Sequence, residues 1–404
     1  MLRNVIILFL LLIVITNIIT YLPLISAQNA GKAKVAVLFD VGGRGDLSFN
    51  DMAWLGAEKA KRELGVKVSY LTPRSLSDMV PLLERFSKSK EYKILILVGF
   101  LWTTPLNETA DKFPEQYFAL IDATTNVVRP NEVDILFKEQ EVASLIGVIA
   151  AGMAYELNGN TIAALAGMDI PPLWKFHIGY LFGAKYFELM TGKPIEFIWV
   201  YTGTFTDPAL GKQYTKQLLQ RGAKVVYGLA GLTHVGTFEM VKEWEEERSE
   251  KVFAIGQDAS QEWIDPYHIP ISGRKRVDVA VYTAIEMAVK GKFKGGIITL
   301  GLKEKGVGLS SLEEVKWFAE QAYTTGQLKG VSPDQVVSVV KELREKYIKE
   351  YVWDIVRSLE KMILTGELEF KTPLTHDEYE KIVKAISKGD LNAALAKGSI
   401  AVHV

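Results

Sequence analysis

The sequence has no cysteine among its 404 residues, and this absence excludes disulfide bonds, thiolate metal sites and cysteine nucleophiles. The formal net charge is only −1, so the chain lacks the basic surplus that is typical of proteins binding nucleic acid. Its five histidines show neither the His-Glu-x-x-His motif nor an i,i+4 pair that would hold a metal ion. We therefore expect no cofactor, no metal site and no nucleic-acid partner.

Several motifs of nucleotide-dependent and hydrolytic enzymes are also missing. The sequence has no G-x-x-x-x-G-K-[ST] phosphate loop and no G-x-S-x-G nucleophile elbow. The stretch from Gly43 to Ser48 begins like a dinucleotide-binding loop, but it lacks the third glycine and contains an aspartate and an arginine where a pyrophosphate would need room. No residue pattern in the sequence indicates a catalytic centre.

The N-terminal segment is strongly apolar. Between the first charged residue, Arg3, and the next, Lys32, the run Val5–Ile25 is broken by only three polar residues before its single proline. Such a run is typical of an export signal or a membrane anchor, and Ile25-Ser26-Ala27 is an acceptable cleavage site. We expect residues 1–30 to direct export, placing the protein at the cell surface or outside the cytoplasm, attached to the membrane only if the segment is retained.

The stretch after this segment predicts a strand, a glycine-rich turn and a helix. Val35–Phe39 is apolar and β-branched, as expected of a parallel strand covered on both faces, and Asp40 follows at its carboxyl end. Ser48 and Asp51 have the spacing of a capping box, and Gly65 ends the helix. Ligands of open α/β sheets bind at the carboxyl ends of the strands, so this turn is a candidate binding segment.

Apolar runs and amphipathic runs then alternate twice along the chain. The predicted strands are Val35–Phe39, Lys67–Leu71, Lys93–Val98 and Tyr117–Ile121 in the first half, and Thr161–Ala166, Ile195–Tyr201, Val225–Leu229 and Val252–Ile255 in the second. This alternation predicts an α/β protein with two doubly wound parallel-sheet lobes. Long helices are predicted at Ser311–Thr324 and Ser332–Lys361, in a helical C-terminal region.

The motif DVGGRGDLSFND, which begins at Asp40, resembles the opening motif of the basic membrane protein (Bmp) family, the nucleoside-binding receptors that serve ABC importers. Six further segments fit in the same order: FALIDA, FKEQEVASLIGVIAAGMA, AGMDIPPLWKFHIGYLFGAK, YTGTFTDPALGK, AIGQDASQ and RKRVDVAVYTAI. The resemblance covers roughly Lys34 to Leu302 and implies a type I periplasmic-binding-protein topology. It implies two lobes joined by a hinge, with lobe I at residues 31–137 and about 272–308, lobe II at 138–271, and the helical region 309–404 packing on the lobes.

The resemblance also implies a binding site. The phenylalanines matching Phe49 and Phe205 sandwich the base in this family, and the aspartate matching Asp258 binds the ribose hydroxyls. The remaining matches are the polar contacts Asp40, Asn50, Asp122 and Lys275, and a backbone contact at Gly231. These residue types suit a nucleoside, because aromatic rings stack on a base and a carboxylate accepts hydrogen bonds from two hydroxyls.

The expected function is therefore that of an extracytoplasmic receptor, without catalysis, that binds a nucleoside between its lobes, a purine nucleoside being favoured. Its expected partners are the permease subunits of an ABC importer. Two alternatives remain open: a receptor of the same architecture for another small ligand, such as a sugar or a signalling metabolite, and a nucleoside-cleaving enzyme. The sequence departs from the family in lacking the cysteine that carries a lipid in bacterial members, and in having His234, as a ligand contact or at the cleft rim, where glycine is usual.

Overall fold

The computed structural model describes residues 33–400, and these form two six-stranded sheets, a two-stranded sheet and twelve α-helices. The expected export signal or anchor at residues 1–30 lies outside the described residues. Within residues 33–400, no helix combines the length and the apolar character needed to cross a membrane.

The first large sheet is built from the apolar runs of the first half of the chain. Its strands are β1 (Lys34–Leu38), β2 (Lys67–Leu71), β3 (Ile94–Val98), β4 (Tyr117–Ile121), β5 (Glu132–Phe137) and β11 (Gly296–Leu300), in the spatial order β11-β5-β4-β3-β1-β2. β1 pairs in parallel with β2 and β3, and β3 pairs in parallel with β4. β3 is buried along its whole length, which agrees with its continuous apolar sequence.

The second large sheet contains β6 (Thr161–Ala166), β7 (Glu196–Tyr201), β8 (Ala223–Leu229), β9 (Phe253–Asp258), β10 (Ser272–Lys275) and β12 (Val307–Leu309). Their spatial order is β12-β10-β9-β8-β6-β7, and every pair from β10 to β7 is parallel, whereas β12 runs antiparallel to β10. The two-stranded sheet pairs β13 (Glu369–Phe370) with β14 (Leu395–Lys397).

Twelve helices connect the described strands or follow them. They are α1 (Phe49–Leu64), α2 (Met79–Ser89), α3 (Thr103–Thr109), α4 (Glu139–Glu156), α5 (Pro171–Thr191), α6 (Pro208–Gln220), α7 (Val235–Arg248), α8 (Val277–Val289), α9 (Leu312–Thr324), α10 (Pro333–Tyr347), α11 (Glu350–Leu364) and α12 (His376–Ser387). Helices between parallel strands are the connections that a doubly wound sheet requires.

The described chain divides into two compact units. The first comprises the described residues up to Val41, Trp54–Asp134 and Asp278–Ile297, and the second comprises Gly42–Ala53, Ile135–Val277 and the described residues from Ile298 onward. The boundaries differ from the expected lobes at residues 42–53, 135–137, 272–277 and 298–308. The segment 42–53 belongs to the second unit, and so do β10 and β12, because β10 pairs with β9 and β12 pairs with β10.

Two long helices of the second unit, α4 and α5, are buried on nearly all sides. Glycines allow their backbones to approach closely: a Cβ atom at Gly147 would collide with the carbonyl oxygen of Tyr180, and one at Gly183 would collide with that of Ser144. The low polarity of α4 after its first turn is consistent with this buried position.

The C-terminal helices α11 and α12 pack on α4 and α5. Val352 lies against Gly152 of α4, where any side chain would collide with it. The hydroxyl of Tyr379 on α12 lies 2.7 Å from Nδ1 of His177 on α5, and Trp174 stacks on the Tyr379 ring at 5.4 Å. Burial lowers the pKa of His177 to about 3, so this ring is neutral at physiological pH. The helical C-terminal region is therefore part of the second unit.

The prediction of a single helix at Ser332–Lys361 is wrong, because the structure has two helices there. The backbone leaves the helical conformation at Ile348 (φ −114°, ψ 86°), and α11 starts after Lys349. Ile348 is buried at this corner, so its apolar side chain fits the helical pattern although the backbone turns. The sequence pattern alone does not distinguish a buried corner from a continuous apolar helix face.

Helices α9 and α10 form a hairpin with its own small core around Val315, Ala319, Val336 and Val340. Arg344 of α10 anchors this hairpin: its guanidinium donates to Pro270 O at 2.7 Å, to Ser310 O at 3.0 Å and to Glu262 Oε1 at 3.0 Å. Glu262 is fully buried, and Arg344 is the cation that pairs with it.

We expect Arg344→Ala to lower the free energy of unfolding by about 3–5 kcal/mol, the range for removing one partner of a buried ion pair. The matched control is Arg357→Ala, because Arg357 contacts Glu350 and Asp354 at 2.6 Å each but is 53% exposed. This control should cost much less stability, because an exposed ion pair contributes little. Denaturant-induced unfolding of both variants measures the difference, and equal losses would contradict the anchoring role of Arg344.

Candidate functional site

The candidate residues of the second unit follow the carboxyl edge of its sheet. From β10 to β7, five neighbouring parallel strands end at this edge. Asp258 ends β9, Lys275 ends β10, Gly231 follows β8 and Phe205 follows β7. Parallel strands thus bring together residues that are up to 70 positions apart, at the edge where open α/β sheets bind ligands.

The N-terminus of α1 is capped by Asp46, and the capping box predicted for Ser48 and Asp51 is wrong. The Asp46 carboxylate accepts hydrogen bonds from the backbone N–H groups of Ser48 at 3.0 Å, Asn50 at 2.9 Å and Asp51 at 3.1 Å. Burial and the neighbouring carboxylate of Asp51 raise the pKa of Asp46 to about 7. Because Asp46 takes the capping role, the hydroxyl of Ser48 is available for another partner.

That partner is Asp258. Ser48 Oγ donates to Asp258 Oδ2 at 2.7 Å, and Gln257 Nε2 donates to Asp258 Oδ1 at 3.0 Å. Gln257 is itself held by the hydroxyl of Tyr227, which donates to its Oε1. Asp258 has a left-handed backbone (φ 73°), an unusual conformation for a residue with a side chain. Both carboxylate oxygens are thus fixed in direction, and each keeps capacity to accept a further hydrogen bond.

Phe49, the first residue of α1, is half-buried and lies above a buried cation. The ammonium of Lys275 is 5.2 Å from the centre of the Phe49 ring and 2.9 Å from Glu139 Oε1. Glu139 Oε2 also contacts Lys175 Nζ at 2.5 Å. Lys275 is only 2% exposed, so the structure places its charge beneath the ring of Phe49 and next to Glu139. This cation–π contact and ion pair hold the ring from one side.

Phe205 is half-buried on the segment after β7. Its carbonyl oxygen accepts a hydrogen bond from Thr233 N at 3.2 Å. Its ring occupies the space beside Gly167, where an added Cβ atom would collide with it. Gly231 has a left-handed backbone (φ 53°), and a Cβ atom there would lie 3.4 Å from the carbonyl oxygen of Phe205. The two glycines therefore leave room for the Phe205 segment.

Asn50 is 3% exposed, and its Nδ2 donates to Asp46 Oδ2 at 3.2 Å. Its side chain thus belongs to the same cap as the backbone of α1. In the first unit, Asp40 follows β1 and Asp122 follows β4, and the parallel strand β3 separates these strands. Asp122 has a left-handed backbone (φ 70°), as Asp258 does, and both carboxylates are less than 10% exposed.

A model of the Bmp family, described as PnrA-like ABC transporter substrate-binding proteins, matches residues 33–352. The chain belongs to the Bmp family. It is 68% identical to an uncharacterized lipoprotein of Pyrococcus abyssi over 372 residues, which cover 92% of each chain. It is 29% identical to the ABC transporter nucleoside-binding protein BmpA of Lactococcus lactis, over 72% of this chain and 86% of that protein.

A crystal structure of an ABC transporter solute-binding protein from Aeropyrum pernix is 53% identical in sequence to this Bmp chain. It superposes with a TM-score of 0.88 over 90% of this chain and 100% of that one. The expected α/β fold with two doubly wound sheets and a helical C-terminal region is thereby confirmed. The Bmp family and this neighbour are solute-binding proteins of ABC transporters, which bind small molecules and serve permeases.

Several residues that support the site were missed by the sequence analysis. They are Asp46, Ser48, Gln257, Thr233 and Gln261, which act through hydrogen bonds to backbone or to Asp258. The expectation that His234 contacts ligand or lies at a cleft rim is wrong, because its side chain is fully buried. No local pattern identifies the roles of Ser48, Thr233 and Gln261, since these partners lie more than 20 positions away in the Bmp chain, whereas Asp46 and Gln257 bond to residues within five positions.

Proposed function

We propose that this Bmp-family chain is an extracytoplasmic receptor that binds a nucleoside and delivers it to the permease subunits of an ABC importer. The observation that carries the proposal is the carboxylate of Asp258, which Ser48 and Gln257 hold in a fixed direction. Ser48 directly precedes Phe49, so the same contact ties a diol acceptor to an aromatic ring. A nucleoside offers the matching groups, a ribose diol and a flat base.

Half-buried aromatic rings support this ligand class further. Phe49 and Phe205 belong to the same unit as Asp258. Phe205 follows β7, and Phe49 lies over Lys275 at the end of β10, so each ring is packed on one side by the protein. Base stacking on such rings tolerates different bases, so the rings favour a nucleoside without choosing its base. Asp40 and Asp122 of the first unit remain predicted polar contacts. The Lactococcus lactis relative is named a nucleoside-binding protein, which supports the proposal.

Calorimetric titration of the full chain with nucleosides, free bases and sugars tests the proposal. We expect purine nucleosides to bind and to be recovered unchanged, as chromatography of the mixture would show. Binding of sugars alone would identify a receptor of the same fold for another ligand. Release of free base would identify a nucleoside-cleaving enzyme. Either result would contradict the proposed nucleoside-binding function.

Loss of one ring should weaken binding without unfolding the protein. We expect Phe49→Ala and Phe205→Ala each to reduce the nucleoside-binding free energy by about 1–3 kcal/mol, the range for base–aromatic stacking. Phe318→Ala is the matched control, because Phe318 is a half-buried phenylalanine on α9 that belongs to no candidate site. Calorimetry measures all three variants. Unchanged affinity in both site variants would reject the stacking role.

Asp258→Asn should reduce the affinity for ribonucleosides more than that for 2′-deoxyribonucleosides. The substitution preserves the shape of the side chain but removes its charge, and hydrogen bonds to charged groups contribute about 1.5–3 kcal/mol. Titration of the variant with each ribonucleoside and its 2′-deoxy counterpart measures the difference. An equal loss for the two ligands would show that Asp258 acts only in the fold and that the ribose is bound elsewhere.

A further inference from the structure

The amide of Gln261 connects several backbone segments of the second unit. Its Oε1 accepts from Gln257 N at 2.8 Å, and its Nε2 donates to Leu47 O at 2.9 Å. The imidazole Nε2 of His234 lies 3.1 Å from the same Oε1. Gln261 and His234 are both fully buried, so neither side chain is available to a ligand arriving from solvent.

The hydrogen bonds determine the orientation of both side chains. Ala230 N donates to His234 Nδ1 at 3.1 Å, so Nδ1 carries no proton and the neutral ring holds its proton on Nε2. That proton faces the amide of Gln261, whose Oε1 lies 3.1 Å and whose Nε2 lies 3.0 Å from the ring nitrogen, and of these two atoms only Oε1 can accept it. Rotating the amide of Gln261 by half a turn would place its oxygen against Leu47 O and its NH₂ group against Gln257 N–H. Both contacts would then be repulsive, so the backbone groups of Gln257 and Leu47 select the observed orientation.

Each backbone group bound by this pair lies directly before a residue of the candidate site. Gln257 precedes Asp258, and Ala230 precedes Gly231. Leu47 precedes Ser48, which donates to Asp258 and is itself followed by Phe49. Gln261 and His234 therefore connect the three segments that carry the carboxylate, the backbone contact and one aromatic ring.

We propose that Gln261 and His234 are positioning residues that set the distance between the base-stacking ring and the ribose-binding carboxylate. This inference rests on the proposed nucleoside-binding function. A ligand that contacts both groups needs them at a fixed separation, because a displacement of about 1 Å is enough to weaken an oriented contact. Without the pair, the segments of Leu47 and Gln257 lose their common partner, while Phe49 and Asp258 are still present.

Two variants separate the contributions of the pair. Gln261→Leu removes every side-chain bond of the amide at similar volume. His234→Phe keeps a planar ring but removes the bonds to Ala230 and to Gln261, leaving those from Gln261 to Leu47 and Gln257. We expect Gln261→Leu to lower the affinity for a purine ribonucleoside roughly tenfold or more, as for loss of a buried hydrogen bond. His234→Phe should have a smaller effect in the same direction.

The decisive measurement is ligand selectivity. We expect Gln261→Leu to reduce the ratio of the affinities for adenosine and 2′-deoxyadenosine, and likewise for guanosine, because Asp258 no longer faces the diol correctly. General loss of stability does not change this ratio. The matched control is Asn131→Leu, because Asn131 is a buried amide whose Nδ2 also bonds to backbone, at Ala110, Phe113 and Gln116. It should lose stability and keep both affinity and selectivity.

The outcomes distinguish this inference from the proposed function. If the unmutated chain binds none of these nucleosides, the proposed nucleoside-binding function is wrong and the inference fails with it. If the unmutated chain binds and Gln261→Leu binds with the same affinity and ratio, only the positioning role is overturned. Circular dichroism and the unfolding midpoint identify a variant that fails to fold. If Gln261→Leu does not fold, a selectivity ratio in His234→Phe equal to that of the unmutated chain overturns the inference.

Discussion

The candidate binding surface depends on one exchange of hydrogen-bond partners at the start of α1. Asp46 accepts the backbone N–H groups that open the helix, and this leaves the hydroxyl of Ser48 to Asp258. If Ser48 capped its own helix, the carboxylate of Asp258 would lose one of its two donors from the protein. Asp258 has a left-handed backbone, which few residue types other than glycine, asparagine and aspartate adopt, and Ser48 supports its side chain in that position. The short segment before Phe49 is therefore held by tertiary contacts as well as by the helix.

Buried polar groups also hold one another in place beneath Phe49. Lys275, Glu139 and Lys175 are almost fully buried, and burying charges is costly unless they pair. The structure pairs them within 3 Å, and it surrounds the ammonium of Lys275 with the rings of Phe49, Phe137 and Phe176 at 5.2–5.5 Å. Removing either cation would leave Glu139 with less compensation. The Phe49 ring rests on this cluster, so a buried charge network contacts a half-exposed ring of the candidate site.

The sequence predicted the strands well and the supporting contacts poorly, for a physical reason. Buried parallel strands need continuous apolar runs, so stretches such as Tyr117–Ile121 and Thr161–Ala166 are found at the predicted bounds. The resemblance to the Bmp family is also confirmed. The cap at Ser48 was mispredicted because Ser-x-x-Asp is a local pattern, whereas its true partner, Asp258, lies 210 positions away. The corner at Ile348 was missed because a buried corner and a buried helix face require the same apolar side chain.

A comparison of the two sheets shows which part of the site the fold repeats and which part it adds. Asp122 after β4 and Asp258 at the end of β9 both have left-handed backbones with φ near 70°, and each is followed by alanine. The repeated element is thus an aspartate that turns the chain at the end of a buried strand. The hydrogen bond from Ser48 and the connection through Gln261 belong to the second unit. The backbone conformation sets where Asp258 turns the chain, and the direction of its carboxylate oxygens depends in addition on its side-chain contacts. At Asp258 these contacts come from Ser48 and Gln257, and under the proposed function they direct the carboxylate oxygens toward the hydroxyls of a ribose.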